Sequence, residues 1–234
     1  MADLGATERW QPGVDVSSTT TAPGILIGVS DGMGGAKAGE VASALSIDGV
    51  IEGMLEAARN GLLDGSVLRR VIERVSRRVH QASLRPEHHG MGATLTAVLL
   101  QGTNAFVAQI GDSRAYILRD EKLGQVTHDQ SYVQLLVDAG VMTPEEAERS
   151  PRKNIILQVM GQETVKVALG RFTLAPGDRL LVCSDGLTNV LSDEEIGSIA
   201  RAPNDVTWSV RELLRRTREE GAPDNVTVVL AELT

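Results

Sequence analysis

Residues Val29 to Glu40 read VSDGMGGAKAGE. An apolar run, Ile25 to Val29, climbs into a lone acid, Asp31, and Gly32, Gly34 and Gly35 then crowd the turn before a small-residue helix begins around Ala38. Glycine lets a main-chain carbonyl approach a partner closely. A strand that delivers a carboxylate into such a turn therefore has room for something bound to Asp31 and to the Gly32 carbonyl. Three further segments share the pattern. FVAQIGDSR meets Gly111-Asp112, RLLVCSDG meets Asp185-Gly186, and GAPDNVTVVL opens on Asp224-Asn225. One Asp-Gly is an ordinary turn, but four acids at strand ends can converge when the strands are neighbours. Their mutual repulsion would raise their pKa values. A hard divalent cation such as Mg²⁺, which takes carboxylate, carbonyl and water oxygens, relieves that repulsion.

Rival chemistries fit less well. Gly34 to Gly39 has the G-x-x-x-x-G spacing of a phosphate-cradling loop, but Glu40 and Val41 stand where Lys and Ser/Thr are required. No G-x-S-x-G nucleophile elbow is present. Cys183, the only cysteine, lies in an apolar run and reads as a buried thiol. His80, His88, His89 and His128 form no zinc-binding spacing.

The chain has 234 residues and a net charge of -8. That balance argues against a nucleic-acid surface, which needs clustered Lys and Arg. The one dense basic cluster, Arg69-Arg70 with Arg74, Arg77 and Arg78, falls on a predicted helix and reads as its solvated face. A single cysteine rules out a disulfide framework and fits a reducing compartment. No apolar stretch is long enough to span a bilayer and the N-terminus lacks signal-peptide order, so no membrane association and a cytoplasmic location are expected.

Strand-like runs occur at Ile25–Ser30, Thr94–Leu100, Ala105–Ile110, Ala115–Leu118, Leu180–Cys183 and Val226–Leu233. Gln101 to Asn104 reads as a hairpin turn, and short turns favour antiparallel pairing. Helical periodicity marks Ala38–Arg59, Asp64–Ser83 and Asp205–Glu220. In the second, Val67, Leu68, Val71, Ile72, Val75 and Val79 form one stripe. Residues 127–161 are polar and carry shorter helices. The expectation is one α/β domain over residues 1–234, with antiparallel strands inside, helices outside and a flap inserted at about 130–160.

Together these motifs resemble the metal-dependent serine/threonine protein phosphatases of the PP2C (PPM) family in their compact bacterial form. The matching stretches are VSDGMGGAKAGE, GMGATLTAVLL, VAQIGDSRAYILRD, VTHDQSYV, GDRLLVCSDGL and GAPDNVTVVL, in the family's order across nearly the whole chain. The resemblance implies an α-β-β-α sandwich of two antiparallel sheets with a two-metal centre, Mn²⁺ or Mg²⁺, at one end. It implies Asp31, Asp185 and Asp224 as ligands of the first ion, with Asp31 bridging to the second beside the Gly32 carbonyl. Asp112 would hold a third, weaker ion together with Asp185. Gly90–Thr94, Thr188 and Asn225 would shape the site. The implied reaction is hydrolysis of phosphoserine and phosphothreonine by a hydroxide shared between the ions, without a covalent phosphoenzyme. The implied partners are phosphorylated proteins, targets of a serine/threonine kinase, with the chain acting as a monomer.

The N-terminus departs from the family pattern R-x-x-N-[EQ]-D. This chain reads ERWQPGVDV over Glu8–Val16. Asp15, sixteen residues before Asp31, is the expected replacement for the second ion's ligand, and Arg9, one residue out of step, the expected phosphate contact. This altered segment motivates the alternative, a non-catalytic metal-binding regulatory module. Met33 stands where many eukaryotic members carry a His, and Gln130 where a His is common.

Overall fold

The computed structural model describes residues 1–5, 8–9, 23–202 and 205–234, with the backbone alone at 8–9 and 36. The predicted central strands are present as β3 (Ile25–Val29), β6 (Leu95–Gln101), β7 (Asn104–Ile110), β8 (Arg114–Arg119), β11 (Arg179–Cys183) and β12 (Val228–Glu232). They are joined by β1 (Ala2–Asp3), β2 (Glu8–Arg9), β4 (Gly32–Met33), β5 (Gly92–Ala93), β9 (Lys122–Gln125) and β10 (Ala168–Thr173). One sheet has six strands in the order β10-β7-β6-β3-β1-β2, the other four in the order β12-β11-β8-β9, and β4 pairs with β5. The pairings within these sheets are antiparallel. Gln101 pairs with Asn104 across the expected hairpin.

Alternation of side chains along each strand builds the layers. On β3, Ile25, Ile27 and Val29 face the second sheet, where they pack with Leu180 and Val182 of β11. Leu26 faces the other way, into a cluster with Met54, Leu68, Ile72 and Val79. Those residues come from α1 (Ala36–Arg59) and α2 (Gly65–Ser83), and the whole predicted stripe of α2 is buried. On β11, Leu181 and Cys183 turn outward onto Leu187, Leu191, Ile196 and Leu213. These belong to or adjoin α5 (Asp185–Thr188), α6 (Asp193–Ala200) and α7 (Val206–Glu219). The result is helix, sheet, sheet, helix, as the sequence led one to expect. Each outer helix pair buries an apolar stripe that would otherwise face water.

Caps fix the helix starts. The Asp64 and Asp205 carboxylates accept N–H groups of Val67 and Trp208 at 2.8 and 2.7 Å. The segment 130–160 carries α3 (Tyr132–Asp138), capped by Ser131, and α4 (Pro144–Glu148), closed by a Thr143–Glu146 capping box. One correction concerns Asp185. The sequence suggested a turn at the strand's end, but β11 stops at Cys183 and Asp185 opens the short helix α5.

Candidate metal centre

Topology brings the acids to one end of the sandwich. Asp31 follows β3, Asp185 follows β11, and Asp224 lies just before β12, the neighbour of β11. One carboxylate oxygen from each of Asp31, Asp185 and Asp224 lies within 4.8 Å of the other two. Asp112 sits in the turn from β7 to β8, where the chain passes from one sheet to the other.

The main chain is locked before any ligand arrives. The Thr94 amide donates to the Asp31 carbonyl at 2.8 Å, and the Asp31 amide donates to Thr94 Oγ1 at 2.9 Å. Thr94 Oγ1 lies 2.7 Å from Ser113 Oγ, a buried contact that joins the Asp31 loop to the Asp112 turn. Glycine serves close approach here. A Cβ on Gly32 would stand 2.0 Å from the Gly39 carbonyl oxygen at the start of α1, and one on Gly186 would stand 2.2 Å from that of Asn225. Gly32 thus lets a helix pack against the acid-bearing turn, in addition to leaving room beside Asp31.

The electrostatics are those of an anionic cup. Asp31 is pushed up to about 7, chiefly by burial, then by the Asp185 carboxylate beside it and by the charge of Asp224, against the opposing Gly32 amide. Asp112 is also pushed up to about 7, by burial first, then by Asp185, Asp129 and Asp31. Asp185 Oδ1 is buried without a hydrogen-bond partner, while Oδ2 accepts from Asn189 Nδ2 at 2.9 Å. A buried carboxylate oxygen left unpaired is costly. An oxygen-seeking cation in the cup satisfies that oxygen and removes the repulsion, so the residues present fit divalent metal ions.

The other sequence-derived residues fall out as follows. Gly32 lies in β4, paired with Ala93 of β5. Within the stretch Gly90–Thr94, Thr94 shapes the site through the bonds above. The Asn225 amide donates to Asp224 Oδ1 at 2.7 Å. Thr188 closes α5. Arg9 lies on β2 at the edge of the six-stranded sheet, its backbone paired with Ala2; its side chain, and all of Asp15, lie outside the described residues. Cys183 is fully buried and its thiol is pushed up to about 12, mainly by burial, which removes it as a nucleophile. Sequence reasoning missed Asn189 and Ser113. Asn189 could have been found from its position four residues after Asp185, one helical turn on. Ser113 carries no comparable signal.

A helix-flanked antiparallel sandwich with an acid-lined cup at one end defines a protein built to hold hard divalent cations. The sequence matches the family described as Protein phosphatase 2C over residues 11–231, and the chain belongs to that family. It is 40% identical over 208 residues to the serine/threonine protein phosphatase PstP of Mycobacterium tuberculosis, a match that covers 89% of this chain and 40% of PstP. It is 35% identical over 210 residues to protein phosphatase PhpP of Streptococcus pneumoniae, covering 89% of this chain and 85% of PhpP. Among solved structures, the catalytic domain of PstP in complex with 2 manganese ions superposes with a TM-score of 0.77 at 35% identity, over 96% of this chain and 95% of that one. The chain therefore spans well under half the length of full PstP and most of PhpP.

Proposed function

We propose that this protein is a metal-dependent phosphatase that hydrolyses phosphoserine and phosphothreonine in other proteins. One observation carries the reading: carboxylate oxygens of Asp31, Asp185 and Asp224 converge to within 4.8 Å. The ions would be Mn²⁺ or Mg²⁺, two in number, with a third, weaker one at Asp112 and Asp185. Bound there, such ions supply Lewis-acid charge for the phosphoryl oxygens and lower the pKa of water. Asp31, Asp185 and Asp224 would hold the first ion, and Asp31 and the Gly32 carbonyl would also serve the second. By the family resemblance Asp15 would supply a further ligand to the second ion and Arg9 would contact the phosphate. Asn189 and the Asn225 amide keep Asp185 and Asp224 oriented, as hydrogen-bonded partners of metal ligands do. Cys183, fully buried, is not placed to act as a nucleophile.

The substrates would be targets of a serine/threonine kinase, and residues 1–234 would act as one monomeric domain with a flap at about 130–160. Among the described residues no helix is long and apolar enough to cross a membrane, which is compatible with work in the cytoplasm. Turnover of a phosphothreonine peptide tests the reading. Phosphate release should require Mn²⁺ or Mg²⁺, stop with a chelator and disappear in Asp185→Ala. A rate equal to that of the Asp185→Ala control would refute it.

A further inference from the structure

Residues 127–130 run alongside the turn that carries Asp112, joined to it by a series of bonds. The Ala115 amide donates to Thr127 Oγ1 at 3.0 Å, and the His128 amide donates to Gln109 Oε1 at 3.0 Å. Arg114 grips the Asp129 carboxylate with Nε and Nη2, the shorter contact at 2.7 Å. Gln130 is the last rung. Its amide donates to the Gly111 carbonyl at 3.0 Å, and its Oε1 accepts from the Gly111 amide at 2.9 Å. Gly111 immediately precedes Asp112 and has φ 95°, in the left-handed region that favours glycine.

Gln130 also faces the flap. Its carbonyl accepts from the Leu157 amide at 2.7 Å, and its Nε2 donates to the Lys166 carbonyl at 3.0 Å. The next residues continue the ladder. Ser131 pairs with Ile156, and the Tyr132 amide donates to the Ile155 carbonyl at 2.8 Å. One residue at the flap's entry thus bonds its returning segment at Leu157, the chain leading to β10 and the turn before Asp112. The amide orientation is fixed by its partners, since the Gly111 N–H can only donate and the Lys166 carbonyl can only accept.

We propose that Gln130 is a positioning residue that ties the flap to the Asp112 turn, so that flap placement and ion binding at Asp112 are coupled. The inference rests on the metal-centre reading above for its ion-binding half. The other end of the flap is anchored separately. Met160 exchanges two backbone hydrogen bonds with Ala93, at 3.1 and 2.7 Å, and Ser76 Oγ accepts from the Gly161 amide at 3.1 Å. The flap is therefore held at both ends, and Gln130 is where one of those ends meets the turn that carries Asp112.

Gln130→Leu keeps the side-chain volume and the backbone bonds but cannot accept from Gly111 or donate to Lys166. Gln130→His offers a neutral ring with one acceptor and one donor nitrogen, and loses the acceptor when protonated near its ordinary pKa of about 6.5. Two readouts are needed. The first is amide hydrogen exchange of the metal-free full chain at Gly111 and across 132–157. The second is Mn²⁺ titration, taking as the Asp112-dependent part the binding lost in Asp112→Asn. In Gln130→Leu, exchange should quicken across the flap as well as at Gly111, and Asp112-dependent Mn²⁺ binding should weaken by roughly tenfold. Gln130→His should match the unsubstituted protein at pH 8 and at pH 5.5 should quicken at Gly111 as Gln130→Leu does, each compared at its own pH. Unchanged flap exchange in Gln130→Leu, or a quickened flap with unchanged Asp112-dependent binding, overturns the coupling. Failure of the phosphatase reading would show differently, as an unsubstituted protein that takes up no Mn²⁺ or turns over no phosphopeptide, and the metal-free exchange arm would then still decide whether Gln130 ties the flap.

Discussion

Two buried aspartates at opposite ends of the sandwich behave in opposite ways. Asp178 precedes β11 and is 3% exposed; Asp112 precedes β8, at the end where β11 finishes, and is 8% exposed. Asp178 is gripped by Arg119 through Nε at 3.0 Å and Nη2 at 2.5 Å, and also accepts from the Ala175 amide at 2.7 Å. Arg119 above all holds its carboxyl below the ordinary range. Asp112, with a similarly small exposed surface, is raised to about 7 by burial first and then by the charges of Asp185, Asp129 and Asp31. Burial raises an acid unless a counter-charge offsets it, and Arg119 supplies that counter-charge to Asp178. At one end the chain supplies the counter-charge itself. At the other it leaves the counter-charge to come from outside, and the metal-free fold bears the cost, as function-bearing sites often do.

Asp185→Asn should break the contrast most severely. Phosphopeptide turnover should fall to the uncatalysed background, while the metal-free protein becomes more stable by roughly 1–3 kcal/mol as repulsion within the cup is relieved. Denaturant unfolding in chelator, beside a turnover assay, reads both, and a less stable metal-free variant would contradict the account. Asp178→Ala should do the reverse. It should lower the unfolding midpoint by several degrees with and without metal and leave Mn²⁺ affinity unchanged, as thermal unfolding and titration would show. A change in Mn²⁺ affinity would mean that the two ends are not independent.

The two acids should also impose opposite pH slopes. Asp31 and Asp112 have folded pKa values above the unfolded value near 3.8, so the folded state binds more protons than the unfolded one between about 4 and 7. The stability they contribute is fully present below about 3.8 and is lost as pH rises to about 7. Asp178, with a lowered folded pKa, contributes stability above its unfolded value that is lost as the solution turns acid. Unfolding of the chelator-treated protein between pH 4.5 and 8 should therefore slope less steeply downward in Asp112→Asn, and an unchanged slope would contradict the assignment. The smallest effect is expected from Asn189→Ala. It frees one Asp185 oxygen and should weaken Mn²⁺ binding by roughly tenfold with little change in folding stability, measured by titration and thermal unfolding.

Much of this contrast is legible in the sequence at one end and little of it at the other. Asp31, Asp112, Asp185 and Asp224 announce themselves because each interrupts an apolar run beside a glycine or a turn, and β3, β6, β7 and β11 are apolar enough to show as strands. The edge strands are not: β9 is Lys-Leu-Gly-Gln, and β10 exposes one face and holds a glycine. The two-residue strands β4 and β5 are too short to leave a periodic signal. The Arg119–Asp178 grip, the Thr94–Ser113 contact and the junction at Gln130 join residues far apart in the chain or depend on side-chain direction, and neither spacing nor composition encodes such pairings. Helix α5 was hidden because an Asp-Gly reads first as a turn. The rest of the N-terminal reading, Asp15 above all, concerns residues outside those described.

Calorimetric titration of chelator-stripped protein with Mn²⁺ at pH 6.5, repeated in buffers of different ionisation enthalpy, counts the protons released on binding and tests the central claim most directly. Ligand carboxylates must be deprotonated to bind metal. With Asp31 and Asp112 raised to about 7, Mn²⁺ uptake at pH 6.5 should release protons, and Asp112→Asn, which lacks one of the two carboxyls, should release fewer. No uptake, or the same proton count in Asp112→Asn, would contradict the claim.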